Sequence, residues 1–360
     1  MSQMAVIMAL IVMTALIAWG VAAWVCHRAE ALGLVQLPNQ RSSHVQPTPS
    51  GGGLGMVVAG SLAGACLVLF FGWVLGGLVL GLAAVLAALG LRDDVHPLPA
   101  RVRFGLQVLV CAGLLLALGD VPALSLRMGL QFQVTGWALF GLLLLIGGWW
   151  INLFNFMDGI DGIAGAQAVF MLLGGAALSA WVYADVISNP VWVLMLCVAA
   201  ATLGFMLLNW PPAKIFMGDV GSTWLAFMVF ALALLCVQAG WLSYAAWLVL
   251  AAVFVVDASV TLLTRLLRGE RWYEAHRSHA YQRLARRWQD DRKAGHRSVT
   301  LLVAAINGLW LAPWAWACVQ WPAGSVAFVL AAYLPLVWAA LWLGAGRPDP
   351  CLPDDARARS

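Results

Sequence analysis

The segment NLFNFMDGIDGIAG places amides and carboxylates between long apolar runs. Its polar side chains are Asn152, Asn155, Asp158 and Asp161. Two aspartates three residues apart share one face when they lie on a helical turn. A carboxylate between apolar segments is unfavourable unless a cation, a proton or hydrogen bonds neutralise it. The segment therefore predicts a site that does chemistry.

Three further aspartates lie in comparable loops: Asp93 and Asp94 in LRDDVHPLPAR, and Asp219 in MGDVGS. If these carboxylates converged, they would repel one another unless a divalent cation or protonation neutralised them. Oxygen ligands without a Cys or His cluster indicate Mg²⁺ or Mn²⁺. Glycines in DGIDG and GDVGS let backbone N–H groups approach phosphate oxygens. Each aspartate alone could instead cap a helix, but the whole set favours a site for a metal and a phosphate.

A second polar cluster, AHRSHAYQRLARR, lies nearer the C-terminus. His276 and His279 are three residues apart and would face one pocket from a helix. Histidine and arginine beside a metal-bound diphosphate would stabilise the charge that develops in phosphoryl transfer. We interpret the outer arginines as contacts with anionic headgroups and as determinants of orientation. The segment carries Arg283, Arg286 and Arg287, and we assign the headgroup contacts to Arg286 and Arg287.

The glycine-rich turn PTPSGGG precedes the second apolar run and has two interpretations. It is either a linker into that run or a flexible loop on the phosphate side of the site. His44, just before the turn, is a candidate substrate ligand, although loop histidines are more often solvated. The cysteines are scattered and lack metal-ligand spacing, so we expect reduced thiols.

The elements that must position these residues are membrane helices. The chain has 360 residues, of which 63% are hydrophobic and 10% charged, and its mean hydropathy is +0.88. These values exclude a soluble globular protein. Apolar runs of about 17 to 25 residues predict an all-α, polytopic transmembrane helix bundle of about 10–11 spans. The expected spans are 4–25, 53–71, 74–91, 104–119, 134–151, 163–184, 191–208, 222–238, 241–264, 299–318 and 324–343.

Charge patterning sets the orientation of this bundle. With a periplasmic N-terminus, every polar cluster above falls on one face, together with all Lys and Arg residues except Arg127. The positive-inside rule makes that face cytoplasmic. A transporter would carry charges near the midplane, whereas only Asp257 lies clearly inside a span. We predict a cytoplasmic-face active site in one membrane domain, residues 1–345, followed by a disordered cytoplasmic tail at 346–360.

These motifs together resemble one known family. They are TPSGGG, the aspartate pair of LGLRDDVHPLPAR, NLFNFMDGIDGIAG, NWPPAKIFMGDVGS and HRSHAYQRL, in this order along the chain. The chain resembles the polyprenyl-phosphate N-acetylhexosamine-1-phosphate transferases, glycosyltransferase family 4, over roughly residues 4 to 345. No single motif is specific to the family, but the occurrence of all five in the family order on one predicted face is specific.

The resemblance implies transfer of a sugar 1-phosphate from a UDP-sugar to undecaprenyl phosphate, with release of UMP. In such enzymes the lipid phosphate attacks the β-phosphorus of the nucleotide sugar, so the bond between C1 and its oxygen survives. The implied partners are undecaprenyl phosphate, the UDP-sugar and membrane lipids, with Mg²⁺ or Mn²⁺ as the cofactor and no nucleic acid. The implied location is the bacterial inner membrane, and the sequence leaves a homodimer open.

The resemblance also carries roles onto particular residues. Asp219 would hold Mg²⁺, and the pair at 93–94 would orient or deprotonate the acceptor phosphate. The histidines would bind phosphate or sugar, while Asn152 and Asn209 would contact the nucleotide. The catalytic set is Asp93, Asp94, Asp158, Asp161, His276 and His279. The substrate-binding set is His44, Asn152, Asn155, Asn209, Lys214 and Arg277.

Departures from the family pattern bear on the donor. Peptidoglycan translocases carry adjacent histidines and a lysine after the aspartate pair, whereas this chain has HRSHAYQ and DDVHP. The SHAYQRL form resembles the branch that starts O-antigen or capsule chains. A muramoyl-pentapeptide donor is the alternative, and a lipid-linked sugar transporter is the alternative from another class. A CDP-alcohol phosphatidyltransferase would need an arginine shortly after DG, which DGIDGIAG lacks.

Overall fold

The structure is a bundle of long α-helices. The computed structural model describes residues 3–36, 47–127, 131–270, 276–288 and 292–348. The first helices are α1 (Gln3–Arg28), α2 (Leu54–Phe71), α3 (Val74–Val95), α4 (Ala100–Leu118), α5 (Gly136–Met157), α6 (Ile163–Val182) and α7 (Pro190–Asn209). The later helices are α8 (Gly218–Gln238), α9 (Tyr244–Leu250), α10 (Ala252–Leu267), α11 (Ala280–Arg287), α12 (Arg292–Ala305), α13 (Ala312–Gln320) and α14 (Ser325–Trp342). Two antiparallel hairpins pair β1 (Val35–Gln36) with β2 (Thr48–Pro49) and β3 (Leu124–Arg127) with β4 (Gln131–Val134).

Most of these helices can cross a membrane. Within the described residues, 10 candidate spans are long and apolar enough, and α12 and α13 form one of them through the π-helical turn Ile306–Leu311. The bent pair α9 and α10 raises the number to 11. The prediction of an all-α polytopic bundle of 10–11 spans is confirmed.

Helix α8 is the centre of the bundle. Of its membrane-spanning stretch, 94% of the residues are buried, compared with 17% for α1. Helix α3 lies close against the start of α8, because a Cβ added at Gly90 would come within 2.4 Å of the Asp219 carbonyl oxygen. Only glycine fits this approach. The contact brings the aspartate pair at the end of α3 beside the first turn of α8.

The glycines of TPSGGG serve packing between α2 and α8. Phe216 N donates to Pro49 O at 2.8 Å, and Gly53 N donates to Met217 O at 2.9 Å, so the turn lies against the segment before α8. A Cβ at Gly53 would come within 2.2 Å of the Gly221 Cα atom. Of the two interpretations of this turn, the described part from 47 onward fits a packed entry into α2 better than a flexible phosphate loop.

Helices α9 and α10 meet at a bend of 73°. The bend is accompanied by a buried amide pair: Gln167 Nε2 donates to Leu250 O at 2.8 Å, and Asn307 Nδ2 donates to Gln167 Oε1 at 2.8 Å. A backbone carbonyl released by a bend must find another donor within a membrane. The bend directs α10, with Asp257, toward the end of the bundle that carries the aspartate loops.

The chain after α14 returns to this end. Gly346 N donates to Ser278 O at 2.9 Å, and Arg283 Nε donates to Leu343 O at 2.9 Å. Residues just past the predicted domain boundary at 345 therefore contact α11 and the loop before it. Residues 349–360 lie outside the described part of the chain, so the disordered tail stays a prediction.

Candidate active site

Asp94 stabilises the N-terminus of α8. Its Oδ1 accepts from Asp219 N at 2.8 Å, and its Oδ2 accepts from Val220 N at 3.0 Å. The first N–H groups of a helix have no partner within the helix, and a carboxylate there also interacts favourably with the helix dipole. Both oxygens of Asp94 are therefore used in holding α8 against α3.

Asp93 points to the other side, where it meets a cation from α4. Arg103 Nη1 lies 2.5 Å from Asp93 Oδ2 and 3.3 Å from Asp219 Oδ2. Leu98 N donates to the second oxygen of Asp93 at 2.6 Å. The Arg103 side chain is 37% exposed, so its guanidinium retains a face for a ligand while it joins two carboxylates.

Asp219 is also fixed from α5. Asn155 Nδ2 donates to Asp219 Oδ1 at 2.6 Å and lies 2.9 Å from Ser222 Oγ. The carboxylate thus receives hydrogen bonds from α4 and α5 while it lies in the first turn of α8. Such convergence from several helices gives a side chain one orientation.

Asp158 follows α5 and differs from its neighbours. Its side chain is half-buried and makes no hydrogen bond within the described chain. Burial, followed by the negative charges of Asp219, Asp161 and Asp94, raises the pKa of Asp158 well above its usual value. A free carboxylate that other carboxylates surround would bind a cation favourably.

These carboxylates fit a magnesium ion of the substrate-bridging kind. Among the described residues, no group of three or more His, Cys, Asp or Glu side chains is arranged to hold a metal by itself. Mg²⁺ is commonly bound by one or two carboxylates together with substrate phosphates and water. Asp219 and Asp158, whose side chain has no hydrogen-bond partner among the described residues, would provide that donor set.

Asp161 and Asn209 hold the DGIDG loop in place. Ala213 N donates to Asp161 Oδ2 at 3.0 Å, and Thr300 Oγ1 donates to Asp161 O at 2.9 Å. Asn209 accepts from Gly162 N at 3.0 Å and donates to Ile215 O at 2.9 Å. Both amide atoms of Asn209 are therefore engaged within the protein, as are the polar groups of Asp161.

The histidine segment is anchored on Asp257 of α10. This carboxylate accepts from Ala280 N at 2.9 Å and from Tyr281 N at 2.8 Å, and it lies 3.2 Å from His279 Nδ1. Asp257 therefore caps α11 from another helix. Tyr281 in turn donates its hydroxyl to Phe156 O at 3.1 Å, which connects α11 to the chain just before Asp158.

His276 stacks on His279, with ring centroids 4.9 Å apart. Its Nδ1 lies 3.0 Å from Ser278 Oγ. Burial, followed by the charges of His279 and Arg265, lowers the pKa of His276 to about 3. In the free protein at neutral pH, His276 is therefore an uncharged hydrogen-bonding group.

One arginine of this segment is not a headgroup contact. Arg283 is buried, and its guanidinium donates to Leu343 O and Arg347 O after α14. A cation suits the C-terminal end of a helix because of the helix dipole. Arg286 donates to Arg277 O at 2.8 Å. Arg287 is exposed, as a headgroup contact requires.

A cavity of about 450 Å³ adjoins the acid side chains. Its walls come from α3, α4, α5 and α8, and they include Asp93, Arg103 and Asp219. Two of its apolar lining residues lie on the lateral surface of the bundle, since Leu145 is 71% and Phe104 50% exposed. The cavity therefore joins charged groups to a surface that faces lipid.

A pair of amides lies on the same cavity. Asn152 Nδ2 donates to Gln107 Oε1 at 2.7 Å and to Gly148 O at 2.8 Å. Gln107 follows Arg103 by one turn of α4, and Asn152 precedes Asn155 by about one turn of α5. Asn152 therefore lines the apolar cavity beside Asp219.

Three predicted substrate-binding residues remain. Lys214 is exposed, Arg277 is half-buried, and His44 lies outside the described residues. The site also contains residues that sequence reasoning missed: Arg103, Gln107, Ser222 and Tyr281. The signal for Arg103 is its place in the first turn of α4, directly after the loop that follows the aspartate pair.

Comparisons with known proteins point to one family. The glycosyl transferase family 4 model matches residues 77–237. A probable undecaprenyl-phosphate N-acetylglucosaminyl 1-phosphate transferase of Bacillus subtilis is 31% identical over 275 residues, 70% of this chain and 70% of the relative. A decaprenyl-phosphate N-acetylglucosaminephosphotransferase of Mycobacterium tuberculosis is 31% identical over 311 residues, 76% of this chain and 73% of the relative. A phospho-N-acetylmuramoyl-pentapeptide-transferase of Deinococcus radiodurans is 31% identical over 238 residues, 59% of this chain and 71% of the relative.

A polytopic helix bundle with a carboxylate site at one end, together with these similarities, defines a membrane-embedded phosphosugar transferase. The chain belongs to the polyprenyl-phosphate hexosamine-1-phosphate transferase family. The resemblance drawn from the motifs is confirmed.

Proposed function

We propose that the protein transfers an N-acetylhexosamine 1-phosphate from a UDP-sugar to undecaprenyl phosphate and releases UMP. The reaction takes place at the cytoplasmic face of a bacterial inner membrane. The supporting observation is the cavity between α4 and α5, which connects a lipid-facing apolar surface to Asp93, Arg103 and Asp219. An acceptor with an isoprenoid tail and a phosphate head needs both environments side by side.

The residues at the cavity have distinct tasks in this proposal. Arg103 binds the acceptor phosphate with the exposed face of its guanidinium, because arginine matches phosphate geometry with several donors. Asp93 holds Arg103 in position. The second pKa of a phosphate monoester is about 6, so the acceptor is largely ionised at neutral pH. Asp93 therefore acts mainly by orientation and not as a strong base.

Asp219 and Asp158 are the proposed ligands of Mg²⁺, and Asn155 orients Asp219 toward it. A bound Mg²⁺ would supply neutralisation of the charge on the donor diphosphate. The lipid phosphate oxygen forms a bond to the β-phosphorus, the bond from that phosphorus to the bridging oxygen of UMP breaks, and UMP leaves with the electron pair. His276 and His279 bind the diphosphate or the sugar from the side of α11.

We further propose that the product starts an O-antigen or capsule chain. This rests on the form of the HRSHAYQRL segment, which packs against the DGIDG loop. A Cβ atom added at Gly159 would lie only 2.1 Å from Tyr281 Oη and 2.8 Å from Gln282 Nε2. A side chain that packs so near the acid cluster can select the donor. The alternative donor, a muramoyl pentapeptide, is the one named for the Deinococcus radiodurans relative.

The test uses purified protein in lipid nanodiscs with undecaprenyl phosphate and UDP-sugars labelled with ³²P at the β-phosphate. With at least one UDP-N-acetylhexosamine, we expect the ³²P label to appear in the lipid and unlabelled UMP to be released in an equal amount. Transfer only from UDP-N-acetylmuramoyl-pentapeptide would favour the peptidoglycan alternative. Absence of both products with every donor, while vesicles still move a lipid-linked sugar across the bilayer, would favour a transporter and contradict the proposal.

A further inference from the structure

The two aspartates of DGIDG lie in opposite environments. The Asp158 side chain makes no hydrogen bond within the described chain, whereas Asp161 uses its carbonyl and both carboxylate oxygens in contacts with two segments. Those contacts come from the connection between α7 and α8, through Ala213, and from α12. Asp161 therefore belongs to the support of the loop, and Asp158 is the group that the loop presents.

The support from α12 includes a buried histidine to which the motifs assign no role. His296 is 6% exposed, and its Nδ1 lies 3.3 Å from Asp161 Oδ1. Its Nε2 is buried without a hydrogen-bond partner among the described residues. A carboxylate oxygen only accepts hydrogen bonds, so Nδ1 would be the donor in this contact.

We propose that His296 is a positioning residue of the transfer reaction: through Asp161 it fixes the DGIDG loop so that Asp158 faces Asp219. This rests on the proposed function, in which both aspartates act on the metal and the diphosphate. His296 and Thr300 lie one turn apart on α12 and contact the side chain and the carbonyl of Asp161. The loop thereby takes its position from a rigid helix, on which catalytic geometry depends.

Two substitutions of equal polarity test the role of the Nδ1 donor. The amide nitrogen of His296→Asn falls near the position of Nδ1, whereas that of His296→Gln falls near Nε2. We expect His296→Gln and the donor-free His296→Leu to lower kcat about tenfold, which is ~1.4 kcal/mol, with KM for both substrates within about threefold of the parent. We expect His296→Asn to stay within about threefold. The adjacent, exposed Arg297→Ala is the matched control on α12 and should behave like the parent.

A double-mutant cycle separates positioning through Asp161 from a direct role. If His296 acts through Asp161, then His296→Leu should change kcat less than about twofold in an Asp161→Asn background, because contacting residues are not additive. A full tenfold loss in that background would overturn the proposal. So would equal kcat values for the asparagine and glutamine variants.

Hydrogen exchange gives a measurement that does not depend on activity. Peptides covering residues 152–163 should exchange faster in His296→Leu than in the parent or in Arg297→Ala, because the loop loses an anchor. If the parent releases no UMP, the proposed function fails while the exchange data still test the pair. Unchanged exchange in both His296→Leu and His296→Gln would show that His296 does not hold the loop.

Discussion

Asp219 receives hydrogen bonds from Asn155 at 2.6 Å and from Arg103 at 3.3 Å. Asp219→Asn keeps the size of this side chain and removes its charge. Since the backbone of the first turn of α8 is held by Asp94 and not by the Asp219 side chain, the variant should fold and insert. We expect UMP release by the purified variant to fall about 10²-fold or more at any Mg²⁺ concentration.

The matched control is Asp185→Asn, the same chemical change at an exposed residue in the turn Ala184–Ser188, at the other end of α6. It should release UMP at the parental rate. Parental turnover in Asp219→Asn would remove this residue from the proposed metal site.

Asp158 gives a prediction about stability and pH. Its pKa in the folded protein is raised, by burial first and by neighbouring carboxylates second, so the folded state is disfavoured as pH rises through that pKa. Asp158→Asn is neutral at every pH and avoids this loss. In buffer with EDTA, we expect the Tm of the variant to exceed the parental Tm by about 2–4 °C at about pH 9, corresponding to about 1 kcal/mol, and by less at about pH 5.

Thermal unfolding in one detergent, followed by tryptophan fluorescence, measures the difference. Mg²⁺ should raise the Tm of the parent more than that of Asp158→Asn, because a cation compensates the charge that the variant lacks. If the parent has a higher Tm than Asp158→Asn at high pH, the charge of Asp158 does not destabilise the folded protein, and the prediction is wrong.

Motif spacing predicted which aspartates meet but not what each one does. Asp94 accepts from two backbone N–H groups at 2.8 and 3.0 Å. Asp161 accepts from Ala213 N at 3.0 Å and lies 3.3 Å from His296 Nδ1, while the Asp158 side chain has no hydrogen-bond partner among the described residues. Their partners come from distant parts of the chain, such as α12 for Asp161. Nothing in the local sequence records such a contact, and for the same reason His296 could not be selected among the loop histidines.

At the scale of elements, α11 depends on a cap from another helix. Asp257 accepts two backbone N–H groups at its start and contacts His279. We expect Asp257→Ala to lower kcat/KM about 10²-fold, ~2.7 kcal/mol, because the histidine segment loses its anchor. Trypsin should also cleave within 276–288 faster than in the parent, since a cap removed from a buried helix start leaves unpaired N–H groups.

Thr261→Val is the graded control for this prediction. The hydroxyl of Thr261 donates one hydrogen bond to Asp257 Oδ1 at 3.2 Å. Loss of this single hydrogen bond should lower kcat/KM less than about tenfold. Equal kinetics and equal tryptic cleavage in Asp257→Ala and the parent would show that α11 forms without this cap.

The helices themselves were predictable because each needs a long apolar run, and the bounds of most spans agree with the structure to within a few residues. The bend between α9 and α10 was not. Hydropathy is continuous across 241–264, and the bend coincides with the bonds that join Leu250 O, Gln167 and Asn307. Those three residues are far apart in the chain, so only the packed bundle shows that they meet.

At the scale of the whole molecule, the aspartate loops, the histidine segment and the start of α12 lie at one end of the bundle, because their side chains contact one another. The β3–β4 hairpin precedes α5 and therefore lies at the other end. The charge asymmetry of the sequence predicts that the first end is cytoplasmic. This orientation matters chemically, since nucleotide sugars are cytoplasmic and the site must open to them.

Single cysteines test the orientation directly. Ser298 is exposed on α12, two residues from His296, and Ser125 is exposed on β3. In a background without the native cysteines, an impermeant thiol reagent added to intact cells should label Ser125→Cys and should leave Ser298→Cys unlabelled until the cells are opened. Labelling of both after opening shows that each thiol is accessible, so shielding reports the side of the membrane. If Ser298→Cys reacts in intact cells and Ser125→Cys does not, the bundle is inverted. The carboxylates would then face away from every cytoplasmic UDP-sugar, and the proposed donor would be excluded.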